Sequence, residues 1–210
     1  AMLTGNGLGL FKPWLQANAE ARRAYHALSA ASEFRKPFTW EELSSPDPFS
    51  AIILPGGHKA EGMRSFLESE RLQAFVARFA ATGRPVAAIC HGVVLAGRSK
   101  DANGRSILHG RKVTALPRWM ELSAWMMTRA WLGDYYRTYR EKTVEGEVRS
   151  FLADPRGDFI VGPRSTRRDT ASRPELGFVV KDGNLLTARW PGDCNRFGLE
   201  LLSMIPKDPP

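Results

Sequence analysis

The chain has 210 residues, 43% hydrophobic and 25% charged, with a formal net charge of +8 and a pI near 9.9. That content can bury one substantial core, so a single domain over residues 1–210 is expected, with an insertion at about 117–174. No apolar run approaches the ~20 residues of a membrane span, so no membrane contact is expected.

The excess of positive charge is spread evenly. Residues 1–105 carry 13 Lys/Arg against 9 Asp/Glu and the remainder 17 against 13, so each half is +4. The densest patch, Arg164–Arg168 with Arg173 nearby, lacks the interleaved aromatics of a single-strand-binding face, and no nucleic-acid partner is expected. Two cysteines far apart in sequence suit a reducing compartment better than a disulfide framework. With no signal-peptide pattern read at the start, a cytoplasmic location is expected.

In chain order, Leu10–Ala30 reads as a helix with apolar positions at Leu15, Ala19, Tyr25 and Leu28, with Pro13 confined to its first turn. Ala51–Leu54 is a short apolar run, rich in β-branched residues, that breaks at Pro55-Gly56-Gly57-His58; it reads as a buried strand ending in a loop of bare backbone. Met63–Ala81 has the period of one amphipathic helix, with Phe66, Leu67, Leu72, Phe75, Val76 and Phe79 on one side and Gly83 as its stop.

Val86-Ala87-Ala88-Ile89-Cys90-His91-Gly92 carries the chemistry. An apolar strand halts at a cysteine, and a helix-like segment follows. In such an elbow the nucleophile stands clear of the sheet, and small neighbours, here Ala88 and Gly92, relieve the crowding. A thiol at a helix N-terminus is expected to favour the reactive thiolate. The other reading of these seven residues is a buried structural cysteine closing a core strand.

Parallel α/β sheets gather their sites at the carboxyl ends of the strands, which brings Pro55-Gly56-Gly57-His58 beside Cys90. The amides of Gly57 and His91 would form an oxyanion hole, with Gly56 and Gly92 around the pocket. His91 is the expected proton acceptor for the thiol, since imidazole titrates near neutral pH.

These residues resemble the PfpI/ThiJ superfamily, within the class I glutamine amidotransferase-like fold. The resemblance is carried by Leu54-Pro55-Gly56-Gly57-His58 and by Gly83-Arg84-Pro85 through Gly92. It extends to Gly110–Thr114 and to Gly177–Arg189. It implies an α/β fold: a doubly wound, flavodoxin-like parallel sheet flanked by helices. It also implies a homodimer acting on a small-molecule substrate and places His58 at the mouth of the pocket; no cofactor or metal is expected.

Superfamily members include amidase or protease-like enzymes, glutathione-independent glyoxalases, deglycase-like proteins, isonitrile hydratases and chaperones. Two functions are therefore expected alternatives. One is a cysteine-dependent hydrolase, amidase or glyoxalase-like enzyme. The other is a non-catalytic stress, redox-sensing or chaperone-like protein that uses Cys90 as an oxidisable thiol.

Members usually begin with a strand and a helix bearing a Glu that contacts the cysteine. Met2–Leu10 offers neither, so the fold is expected to lack that first β-α unit. The resemblance places a third, orienting acid at Asp193, or takes it from a neighbouring subunit, for which Glu61 or Glu68 would serve.

Between the elbow and the final hairpin, Trp119, Leu122, Trp125, Met126, Trp131 and Leu132 mark a helix with an aromatic face. It reads as an extra packing layer, or as a lid or dimer arm that would bring Arg118, Arg137 or Arg140 to an anionic substrate. Cys194 reads as a core or helix-start residue. No repeated His/Cys/carboxylate spacing suggests a zinc site.

Overall fold

The computed structural model of the chain describes residues 16–57 and 60–206, with positions 9 and 12. Asn18 accepts a hydrogen bond from the Ala21 amide at 2.7 Å and starts the first helix, α1, at Ala19–Ala30. Most of the expected helical stretch before Asn18 lies outside the described residues. A short α2, Ser32–Arg35, follows. Neither helix contains a buried residue.

Strand β1, Ile52–Leu54, leads through the Pro-Gly-Gly loop to α3, Ala60–Glu68, and α4, Glu70–Ala81. The single helix expected over Met63–Ala81 is thus two. Ser69 leaves the helical conformation at ψ 104, and its Oγ accepts from the Leu72 amide at 3.2 Å. A side chain that caps a new helix competes with continuation of the old one. The apolar stripe survives the break, because Leu67, Leu72, Phe75, Val76 and Phe79 are all buried. The stop at Gly83 takes φ +77, and its amide donates to Ala80 O at 3.1 Å.

Strand β2, Val86–Ile89, enters α5, Gly92–Arg98. In the insertion lie α6, Arg118–Leu132, and α7, Val144–Ser150. The hairpin of β3, Val179–Asp182, and β4, Leu185–Ala188, turns at Gly183, and α8, Cys194–Met204, closes the described chain.

The strands lie in the order β1-β2-β4-β3. β1 and β4 both run parallel to β2, with Leu54 opposite Ala88 and Ala188 opposite Ile89; β3 is an antiparallel edge. Every residue of β2 and β4 is buried, as expected for parallel strands covered on both faces. The fold is therefore the α/β sheet flanked by helices that the sequence suggests.

Part of the segment 117–174 is core. Val144 and Val148 of α7 join the main apolar cluster. Gly97 of α5 lies against the Phe151 ring, and Arg98 pairs with Glu147 at 2.7 Å. Helix α6 behaves differently: its buried positions are Glu121 and Thr128, while Met126, Met127 and Trp131 are exposed. No described helix is long and apolar enough to cross a membrane.

Candidate active site

Cys90 ends β2 with φ 58, the one positive φ at a non-glycine among the described residues. A side chain in that region costs roughly 1–2 kcal/mol. The neighbours hold it there. Its amide donates to Ala188 O at 3.1 Å, extending the β2–β4 ladder, and its carbonyl accepts from Val93 N at 3.3 Å as α5 opens.

Two glycines make room around it. A Cβ on Gly56 would sit 2.6 Å from the Cys90 Cβ and 3.2 Å from His91 N. Gly92 is pressed against the backbone of Leu54 and Pro55. Gly57 instead lies under the Met63 side chain. His58 lies outside the described residues.

The Cys90 Sγ is 3.4 Å from His91 Nδ1, so the two adjacent side chains meet rather than diverge. Both residues are buried. Burial pushes the Cys90 thiol up to about 12; a hydrogen bond from the His91 amide opposes this, while Glu121, Cys194 and Asp193 push it further up. The thiolate expected from the helix terminus is therefore not the resting form. A seven-residue helix supplies less stabilisation than desolvation removes.

Asp193 is fully buried near the elbow. Its Oδ1 accepts from Phe178 N at 2.9 Å and an Arg189 terminal nitrogen at 2.8 Å; Oδ2 accepts from Arg189 N at 3.2 Å and Arg189 Nε at 3.0 Å. Arg189 is as buried as its partner and also donates to Pro163 O at 2.7 Å. The described bonds of this acid are thus to Arg189 and Phe178 rather than to His91. Glu68 accepts from the Tyr139 hydroxyl at 2.6 Å.

Of the arginines of the insertion, Arg137 faces Glu121 at 3.5 Å and donates to backbone carbonyls, Arg140 pairs with Asp134 at 2.6 Å, and the Arg118 amide donates to Glu145. Cys194 is exposed at the start of α8. Among the described residues no group of His, Cys, Asp and Glu could hold a metal ion.

Glu121 has no counterpart in the sequence reading. Its Oε2 accepts from the Val144 amide at 2.8 Å. Burial raises its carboxyl to about 7 against the effect of that bond and of Arg137. The clue in the sequence is a carboxylate inside an apolar helical pattern, four residues before Trp125.

Comparison with known proteins gives these features a family. Residues 7–163 match the family described as ThiJ/PfpI family-like. The chain belongs to that family.

Among ThiJ/PfpI relatives, deglycase PfpI of Pyrococcus furiosus is 32% identical over 113 residues, which are 49% of this chain and 65% of that protein. Protein/nucleic acid deglycase 2 of Escherichia coli is 36% identical over 72 residues, 34% of this chain and 37% of that protein. The chain therefore spans roughly a third to two thirds of these relatives' own length. The structure of glyoxalase III from Candida albicans superposes with a TM-score of 0.66 at 14% identity, over 90% of this chain and 71% of that one. That likeness concerns the fold.

Proposed function

We propose that this ThiJ/PfpI protein is a cysteine-dependent enzyme acting on a small carbonyl or amide compound. The observation that carries this reading is the Cys90–His91 pair: a thiol on a positive-φ elbow with its sulfur 3.4 Å from an imidazole nitrogen. The names of the relatives, deglycases and a glyoxalase, support the same substrate class.

A thiol raised to about 12 does not attack as a preformed thiolate at neutral pH. In the proposed step the S–H proton passes to His91 as sulfur bonds to the substrate carbonyl carbon, and the carbonyl π pair moves onto oxygen. The amides of His91 and Gly57 receive that oxyanion; with an amide substrate the C–N bond then breaks, His91 returns the proton to the leaving amine, and water attacks the acyl carbon to release the acid and restore the S–H. Asp193 acts by fixing Arg189 and the turn into α8. A homodimer in the cytoplasm remains our expectation, and sizing chromatography tests the dimer.

The redox-sensor reading is weaker on the same observation, because peroxide-sensing thiols are of low pKa, whereas a thiol beside an imidazole gives up its proton within the attacking step. Turnover of methylglyoxal and of simple amides by the protein and its Cys90→Ser variant decides between them. Turnover lost in the variant supports the enzyme. No turnover by either, with ready peroxide modification of Cys90, overturns it.

A further inference from the structure

A groove of about 610 Å3 lies at the end of the sheet opposite the elbow. Val86 and Leu185, the first residues of β2 and β4, wall it, and both strands run from there toward the Cys90 side. Four residues at ~3.3 Å each put roughly 13 Å between this wall and Cys90. The volume falls within the ~300–1,000 Å3 typical of small-molecule sites.

One side of the groove is apolar and shallow. Ala74, Ala77 and Ala81 line it from one face of α4, and their small side chains leave room for a flat ring. The rim is charged. Arg78 and Lys100 are exposed there, Arg111 is held by Asp182 at 3.1 and 3.4 Å, and Asp101 is the single acid of the lining.

Backbone bonds from Arg105 and Asn103 to Asp101 Oδ1 keep that carboxyl below its ordinary range, hence ionised at neutral pH. Both of these bonds end on Oδ1, and the carboxyl belongs to the lining of the groove. The C-terminal turn of α4 borders the groove, where Ala80 O accepts from Gly83 N and Asn184 Nδ2, and Phe79 O from Thr82 N.

We propose that this groove binds a nucleoside phosphate. The base lies on the alanine floor, Arg78 and Lys100 meet the phosphate, and Asp101 accepts from a sugar hydroxyl. The site uses no residue of the elbow and stands whether or not Cys90 is catalytic.

Isothermal titration of the full chain with AMP, adenosine and inorganic phosphate tests it. AMP is expected to bind one to one with Kd between ~10 μM and ~1 mM, and adenosine or phosphate alone at least ~10-fold more weakly. Arg78→Ala with Lys100→Ala should weaken AMP at least ~10-fold while leaving adenosine unchanged. Cys90→Ser should bind AMP as the parent does.

Ala77→Phe, at a half-buried position, should block the floor, and the exposed double variant repeats the test without disturbing packing. No saturation by AMP below ~5 mM, parental AMP affinity in the double variant, or loss of binding in Cys90→Ser would overturn the proposal.

Discussion

Gly92 lies against the backbone of Leu54: a Cβ on Gly92 would collide with the Leu54 carbonyl oxygen and stand 2.6 Å from its carbon and 2.9 Å from Pro55 O. The atoms it would meet are main chain, so no rotamer change can relieve the clash. The contact fixes the spacing between the end of β1 and the start of α5, and with it the approach of the Pro-Gly-Gly loop to the thiol. Gly92→Ala is expected to lose about 3 kcal/mol or more, in line with overpacking against rigid neighbours. Urea unfolding that matched the parent would show that the loop and helix separate freely.

Cys90 yields a sharper test because two effects oppose. Glycine is ordinarily the less stable replacement, by roughly 0.5–1 kcal/mol relative to alanine in regular structure. At φ 58 the order should invert, since alanine keeps the left-handed strain and glycine does not. Cys90→Gly is therefore expected to be about 1 kcal/mol more stable than Cys90→Ala in chemical denaturation. The opposite order would mean that the elbow relaxes once the thiol is gone.

The strand-to-helix turn at Cys90 was legible in the sequence because its signals are local. Ile52–Leu54 and Val86–Ile89 are short apolar runs that break at Pro55-Gly56-Gly57 and at Cys90-His91-Gly92, and parallel pairing then brings their ends together. Ser69 was harder to read, since a cap in the middle of a continuing apolar stripe leaves the period intact. Asp193 was expected, from the family resemblance, as the orienting acid of the cysteine; its engagement with Arg189, four residues earlier, was not legible, because it depends on both side chains being buried. Glu121 was legible only as a carboxylate inside an apolar helical pattern; its partners, Val144 and Arg137, lie 23 and 16 residues away.

Asp193→Asn separates anchoring from catalysis. Asn keeps an acceptor for the Phe178 amide but leaves the buried Arg189 guanidinium without a counter-charge. Breaking one partner of a buried pair costs about 3–5 kcal/mol. The double change Asp193→Asn with Arg189→Met should recover a large part of that loss. A thermal melt in which the double variant is no better than the single one would count against the pairing as the source of the cost.

Glu121→Gln should alter both stability and thiol reactivity with pH. Burial raises the carboxyl from 4.5 to about 7, so between those values the folded protein holds a proton that the unfolded chain releases. Stability from this group is then full below pH 4.5 and falls as pH rises toward 7, by about 3 kcal/mol at 1.36 kcal/mol per unit. Glutamine should remove that decline, leaving the variant more stable than the parent at pH 8 and nearly equal at pH 4.5. Ionised Glu121 also pushes the Cys90 thiol up, second to burial among the causes that raise it. The variant should therefore react faster with iodoacetamide at pH 8. Equal alkylation rates, or a parallel pH–stability curve, would remove Glu121 from the electrostatics of the elbow.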